Sequence, residues 1–193
     1  MKMRKTKCGF MRAAAIIALA LAIVAAAGAT TLERMSLEQM AAAAPLIVRA
    51  RCAGNSVARD EGEIWTFTSF GIEETWRGSP PTQLRVRLLG GTMGDITSHV
   101  SGVPRFTQGE DVVLFLQPTR RGDYSIVSWE QGTFRVHQDA AGMKALVTQD
   151  TASFVTFDSA THQFQPSGIR RMPLDEFRAR VEAALQSAEV KQP

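Results

Sequence analysis

The sequence is poor in the residues from which most metal and catalytic centres are built. It has 2 cysteines and 3 histidines among 193 residues. Two cysteines cannot form the disulfide framework of a small secreted scaffold. His99, His137 and His162 lack a second ligand at the spacing that a zinc site needs. A Gly-x-Ser-x-Gly nucleophile elbow is also missing from the sequence. We therefore expect no metal, no other cofactor and no familiar hydrolase site.

Charged side chains that are close in sequence do not form a recognisable acid–base site either. Asp95, Ser98 and His99 share one predicted loop, whereas the members of a catalytic triad converge through tertiary structure. Glu73 and Glu74 are adjacent, so they point to opposite faces of a predicted strand. We expect a protein that is not an enzyme. An enzyme with an unrecognised site stays open as a third function, behind two kinds of binding protein.

The first 29 residues have the organisation of an export signal. Five basic residues precede the apolar run Ala13–Ala27, and the small residues Gly28 and Ala29 follow it. This pattern predicts a secretory signal peptide over residues 1–29, cleaved between Ala29 and Thr30. An uncleaved membrane anchor is the alternative, although a span needs about 20 apolar residues. We expect a periplasmic or secreted protein with no stable membrane span after cleavage.

The positive charge of the sequence belongs largely to this signal. Five of the 22 basic residues and none of the 19 acidic residues lie within residues 1–29, so the exported chain carries a net charge of about −2. The apparent basicity that would suggest a nucleic-acid partner is thereby lost. We expect the partner to be another exported protein.

Residues 30–193 predict one mainly β domain, because short strands and turn signals follow one another without β-α-β alternation. We expect a small β-barrel over about residues 45–137 and extra hairpins over about 144–165. Residues 55–63 are polar and predict a connection, and residues 90–109 predict a loop. The predicted strands are Leu46–Cys52, Ile64–Trp76, Leu84–Leu88, Val112–Leu116, Tyr124–Val127 and Thr133–Val136, followed by short segments at 145–148, 154–157 and 162–164.

Two helices flank the predicted strands. Ser36 and Gln39 form a capping-box pattern, and Pro45 ends the short helix that follows it. Near the end of the chain, one apolar stripe predicts an amphipathic helix over about residues 174–187 that packs on the barrel. Its members are Leu174, Phe177, Val181 and Leu185.

Cys52 is the only cysteine beyond the predicted signal peptide. Alternation in the first strand places it on one face with Leu46, Val48 and Ala50. We expect Cys52 to be buried on this face. A reactive thiol or a disulfide between chains is the alternative.

Two groups of residues are candidates for binding. Gly91, Met93 and Gly94 lie in the predicted loop, where an exposed methionine offers an adaptable apolar contact to a partner. Four arginines alternate with apolar residues on two predicted strands and would line one anion-binding face if the first and third strands were neighbours. They are Arg49, Arg51, Arg85 and Arg87.

Four segments between about Pro45 and Val136 resemble the OB-type barrel of the netrin-like class, which includes the tissue inhibitors of metalloproteinases. They are Ala44–Arg51, Phe70–Gly78, Leu84–Leu88 and Gln108–Leu116. This stretch also resembles a group of small exported bacterial proteins with no settled function. The resemblance covers just over half of the exported chain and implies an OB/netrin-like β-barrel.

The resemblance does not extend to the inhibitory mechanism of that class. The inhibitors chelate the protease zinc through a cysteine at their processed N-terminus, whereas the predicted N-terminus here is Thr30-Thr31-Leu32. The sequence therefore predicts an exported, non-enzymatic binding module for an envelope or secreted protein, with a protease as one candidate partner. The alternative is a binder of small anions or glycans through the arginine face.

Overall fold

Strands account for about half of the residues that the structure describes, and several of them show alternation of apolar and polar residues. A computed structural model describes residues 34–153, 155–158, 162–166 and 168–190. The predicted cleavage site, Ala29 and Thr30, lies outside the described residues. In chain order the helices and strands are α1 (Leu37–Ala43), β1 (Leu46–Asp60), β2 (Glu63–Arg77), β3 (Leu84–Leu89), β4 (Gly91–Met93), β5 (Ile96–Ser98), β6 (Asp111–Pro118), β7 (Tyr124–Ile126), β8 (Thr133–Gln138), β9 (Ala145–Gln149), β10 (Val155–Asp158), β11 (Gln163–Pro166), β12 (Met172–Pro173) and α2 (Leu174–Val190), with short 3-10 helices at Trp129–Gly132 and Asp150–Ser153.

Eight of the strands form the main sheet, in the order β1-β2-β3-β7-β6-β8-β9-β12. β1 also pairs with β6, so the pairings among β1, β2, β3, β7 and β6 return to their starting strand. The contact between β3 and β7 is parallel, and the other pairings within this ring are antiparallel. The predicted mainly β fold is confirmed.

The run Val112–Leu116 is apolar at every position because β6 faces two cores. Val112, Leu114 and Leu116 belong to a core that also contains residues of β1, β2, β3 and β7. Val113 and Phe115 belong to a second core, which also contains residues of both α-helices. Cys52 is 2% exposed within the first core, so its predicted burial is confirmed.

The prediction that residues 55–63 form a connection is wrong. β1 continues to Asp60, and only Glu61 and Gly62 lie between it and β2. A register shift between Cys52 and Gly54 interrupts the ladder, which then continues from Gly54 opposite Ser69. The polar half of β1 is a strand because it pairs with β2 throughout, which its own composition does not reveal.

Residues 90–109 are also more ordered than the loop that we predicted. They contain the hairpin of β4 and β5, in which Gly91 pairs with Ser98 and Met93 with Ile96. Its strands have three residues each and are therefore too short to show periodicity.

Both predicted helices are present. The Ser36 hydroxyl accepts a hydrogen bond from the backbone N–H of Gln39, and the side-chain oxygen of Gln39 accepts one from the backbone N–H of Ser36. These two bonds confirm the capping box. Phe177 and Val181 of α2 are fully buried in the second core. Within the described residues, neither α-helix has both the length and the apolar character of a membrane span.

The segments after β8 are divided between two sheets. β9 pairs with β8 and so extends the main sheet, whereas β10 and β11 pair only with each other among the described strands. Phe154, the first residue of one predicted segment, lies outside the described residues.

Candidate functional site

The four arginines predicted to share one face belong to strands that are not neighbours. β2 lies between β1 and β3, so the condition on which the common face depended is not met. Arg49 and Arg51 are on β1, and Arg85 and Arg87 are on β3. Their partners differ, and each environment therefore decides whether the guanidinium group is available.

Arg49 is enclosed by two carboxylates. Its guanidinium group donates to both oxygens of Asp111, at 3.1 and 2.7 Å, and to Oε1 of Glu74 at 2.8 Å. The bond to Asp111 raises the pKa of Arg49, and the bond from Arg49 lowers the pKa of Glu74. Arg51 is more exposed and forms looser ion pairs with Glu73 at 3.3 Å and Asp111 at 3.7 Å. Both arginines of β1 thus have carboxylate partners.

Arg87 is also paired, and its side chain is only 10% exposed. It donates to Asp60 at 2.7 Å, lies 3.6 Å from Asp123, and stacks over the Trp65 ring at 4.2 Å. The bond from Arg87 lowers the pKa of Asp60. Arg121 binds the same carboxylate, which ties the turn after β6 to the end of β1.

Arg85 differs from the other three arginines. Its side chain is exposed, and its guanidinium carbon lies 4.0 Å from the centroid of the Phe67 ring. Within the described residues it has no carboxylate partner. A contact with an aromatic ring does not use the N–H donors of a guanidinium group, so these donors can bind an anion.

The predicted partner loop is the β4–β5 hairpin. Gly94 and Asp95 form its turn, and Met93 lies opposite Ile96. Directly paired residues of an antiparallel ladder share one face, so these two apolar side chains are neighbours. Ile96 is 52% exposed and Met93 is half-buried. Sequence reasoning found Met93 but missed Ile96, because nothing in the sequence indicated that the loop was a hairpin.

Two glycines allow close packing at the hairpin, Gly91 against the main sheet and Gly90 against the second strand of the hairpin. A Cβ atom on Gly91, whose φ is +149°, would lie 2.6 Å from Oγ1 of Thr66 and 3.1 Å from Val57. A Cβ atom on Gly90 would lie 2.6 Å from the carbonyl oxygen of Ser98. Thr66 donates its hydroxyl proton to the Gly90 carbonyl at 2.7 Å. The hairpin therefore lies closer to β1 and β2 than any larger residue would permit.

A cavity of about 400 Å³ opens beside the hairpin. Its floor is apolar and its walls carry hydroxyl, amide, imidazole and guanidinium groups. The lining residues are Asn55, Val57, Thr66, Leu88, Gly91, Thr92, Thr97, Ser98, His99, Arg105 and Phe106. Val57, which is 37% exposed, also lines the cavity and lies beside Gly91 of the hairpin. We name Val57, Met93 and Ile96 the hairpin surface.

A cluster of titratable groups lies close to this cavity. Arg135 binds both oxygens of Asp150, at 2.6 and 2.9 Å, and Glu110 at 2.6 Å. Burial nevertheless raises the pKa of Asp150. Burial and the charge of Asp150 raise the pKa of Glu130, although Arg135 and His99 act in the opposite direction. A direct cationic partner therefore does not by itself decide the direction of the pKa shift in this cluster, because burial outweighs Arg135 at Asp150.

The backbone beside Glu130 is strained. Ser128 and Trp129 both have left-handed conformations, with φ values of 51° and 53°. Such conformations are unfavourable for non-glycine residues and persist only where the surroundings hold them. Here the Glu130 amide donates to the Gly102 carbonyl, and Trp129, 39% exposed, lies beside Gly102.

The described residues contain no group of three or more His, Cys, Asp or Glu side chains that could hold a metal ion. His99 lies in the cavity wall, and His137 is exposed on β8. No family model matches the chain, and no curated protein is similar to it. The interactions that this site offers are apolar contact at the hairpin surface and charged hydrogen bonds in the cavity.

Proposed function

We propose that the protein is an exported, non-enzymatic binding module and that its partner is another envelope or secreted protein. The observation that carries the proposal is the hairpin surface. Ile96 and Met93 lie opposite each other on a hairpin whose Gly91 packs against the main sheet, and the exposed Val57 lies beside Gly91. Apolar anchors on a rigid support are typical of protein interfaces, where a few buried side chains supply most of the affinity.

The export signal limits the partners to proteins of the envelope or the exterior. The five basic residues, the apolar run Ala13–Ala27 and the small residues before Thr30 support this part of the proposal. Mass spectrometry of the protein recovered from its host checks it. An N-terminus at Thr30 is expected, and an intact Met1 in the membrane fraction would favour the anchor instead.

The resemblance to the netrin-like class makes a protease one candidate partner. The ring of paired strands supports the resemblance, because OB-type barrels are built from five strands. A protease bound through its active-site zinc would be released by a chelator. A partner retained in the presence of the chelator would contradict inhibition through zinc and would leave the binding proposal intact.

The hairpin surface is tested by one substitution and a matched control. The full sequence, tagged at its C-terminus, is expressed in the host, and proteins retained from exported fractions are identified and purified. Ile96→Glu places a charge in the proposed interface, so we expect the partner's affinity to fall by at least about tenfold. Met143→Glu makes the same change on the turn between β8 and β9, where Met143 is 79% exposed.

The control should bind the purified partner as the unchanged protein does. Equal binding by Ile96→Glu and Met143→Glu would contradict the hairpin surface as the interface. A circular dichroism spectrum and a thermal midpoint for each variant establish that any loss reflects binding.

Binding of anions or glycans is a second candidate function, favoured by the environment of Arg85. Its guanidinium group stacks on Phe67 without a described carboxylate partner, whereas Arg87 is paired with Asp60. Arg85→Gln should therefore abolish retention on immobilised heparin. Arg51→Gln should leave this retention unchanged, because Arg51 already forms ion pairs with Glu73 and Asp111. Retention that is unaffected by Arg85→Gln would remove this candidate.

A further inference from the structure

The cavity beside the hairpin contains a cation whose described hydrogen bonds are all to neutral groups. Arg105 lies in the segment between β5 and β6, and its side chain is half-buried. Nη1 donates to Oγ1 of Thr66 at 3.2 Å, and Nη2 donates to the carbonyl oxygen of Ser98 at 3.3 Å. Both acceptors are uncharged, and both bonds are long for a guanidinium group.

No carboxylate lies within ion-pair distance of Arg105 among the residues that the structure describes. Arg49, Arg87 and Arg135 each approach two carboxylates within 4 Å. A guanidinium group has five N–H donors, and two hydrogen bonds leave several of them without a described protein acceptor. Withdrawing a charge from water without an opposite charge is unfavourable, so an anion at this position would be stabilised.

The cavity has the size and the polar groups that a carboxylate requires. A volume of about 400 Å³ is within the usual range for small-ligand sites. Thr92, Thr97 and Ser98 are among the lining residues, and the hydroxyls of Thr92 and Thr97 are 3.1 Å apart. Hydroxyl groups can donate to a carboxylate, as the guanidinium group does. Leu88 and Phe106 provide an apolar floor for the methylene groups that carry the acid.

The charges around the cavity favour an anion. Arg105 and His99 are the titratable groups of the lining, and the described lining contains no Asp or Glu. Glu130 lies near His99. The carboxylates of Glu110 and Asp150 are bound to Arg135.

We propose that this cavity binds a carboxylate through Arg105 and that the protein partner supplies it as an acidic side chain beside an apolar residue. The second half of this inference rests on the proposed function. The acidic side chain would enter the cavity, and the apolar neighbour would contact Val57 in the lining or Ile96 on the adjoining hairpin. The hairpin surface and the cavity would then be two parts of one interface.

The experiment is a titration followed by NMR. The ¹⁵N-labelled protein, expressed from the full sequence, is titrated with sodium acetate against sodium chloride at equal ionic strength. It is then titrated with the blocked dipeptide acetyl-Leu-Glu-amide against acetyl-Leu-Gln-amide. We expect acetate and the acidic peptide to shift the Arg105 Nε–H resonance and the amides of Thr92, Thr97 and Ser98. Chloride and the neutral peptide should leave these resonances in place.

Variants separate the charge from the fold. Arg105→Gln should weaken binding of the acidic peptide by about tenfold or more, because a charged hydrogen-bond donor is lost. Arg105→Lys keeps the charge and should lose less. Arg120→Gln removes an exposed arginine from the turn between β6 and β7 and should bind as the unchanged protein does. If Arg105→Gln fails to fold, the lysine variant and the acetate shifts still decide the question.

Three results would overturn the inference. Resonances that do not respond to acetate, or that respond equally to chloride, would exclude the carboxylate site. Undiminished binding to folded Arg105→Gln would exclude the role of Arg105. Equal affinity for acetate and for the peptide would indicate a site for free small anions and exclude the partner as the source. A failed titration together with a strong effect of Ile96→Glu on the partner would leave the proposed function standing.

Discussion

The surroundings of Arg49 and of Arg105 show how one residue type acquires opposite roles. Arg49 on β1 binds Asp111 and Glu74, so its charge is neutralised within the protein. Arg105 beside the β4–β5 hairpin binds only a hydroxyl and a carbonyl among the described residues. The first arginine connects strands, and the second has donors to offer to a ligand. The number of carboxylates that the fold brings to a guanidinium group determines which role it has.

Removal of Asp111 is the strongest test of this comparison. Asp111→Asn leaves the half-buried Arg49 with one carboxylate in place of two. Loss of a largely buried ion-pair partner should lower the free energy of unfolding by about 3 kcal/mol. Arg105→Gln removes no described ion pair and should lower it by about 1 kcal/mol or less. Urea denaturation of both variants measures the difference, and equal losses would show that Arg105 has a structural role like that of Arg49.

A methyl group at Gly91 should disturb the hairpin next to Arg105, because Gly91 and Arg105 both contact Thr66. Gly91→Ala adds a Cβ atom 2.6 Å from Oγ1 of Thr66 at a φ of +149°, so we expect a loss of about 2 kcal/mol. Gly94→Ala is the matched control. The φ of Gly94 is +59° and no atom lies near the new methyl group, so about 1 kcal/mol is expected. Thermal unfolding compares them, and a larger loss at Gly94 would contradict the close contact of the hairpin with Thr66.

The smallest expected effect on stability is at Glu130, where the charged group is a carboxylate and not a guanidinium group. Burial raises its pKa, so the ionised carboxylate is the form that the folded protein disfavours. The unfavourable contribution is absent below the ordinary carboxyl pKa, develops as the pH rises from there to the raised pKa, and is fully present above it. Glu130→Gln should therefore be slightly more stable than the unchanged protein at pH 7 and no more stable at acidic pH. The difference between their thermal midpoints across this pH range measures the effect, and a stabilisation that grows on acidification would have the wrong sign.

The sequence predicted the elements whose signals are local. The capping box of α1, the alternation of β3 and the apolar stripe of α2 each depend on residues within a few positions of one another. β6 was also predicted, although only the structure shows that its uniformly apolar run separates two cores. Local patterns therefore established the mainly β fold.

The missed features depend on partners that are distant in sequence. The second half of β1 is polar and is a strand because β2 pairs with it. The carboxylate that neutralises Arg49 is 62 residues away, and the Thr66 hydroxyl that meets Arg105 is 39 residues away. Four alternating arginines looked equivalent in the sequence, but tertiary contacts left only Arg85 without a described carboxylate partner.

The burial of Cys52 has a practical consequence for following the unfolding of this molecule. Cys52 is 2% exposed in the core that it shares with Leu46 and Val48, and burial raises the pKa of its thiol. Its backbone is bonded to Gly109 and Glu110, beside the seam between β1 and β6. Because Cys52 is buried beside that pairing, we expect a thiol reagent to reach the sulfur atom when the pairing opens. The rate of thiol labelling at Cys52 therefore reports how often the pairing between β1 and β6 opens.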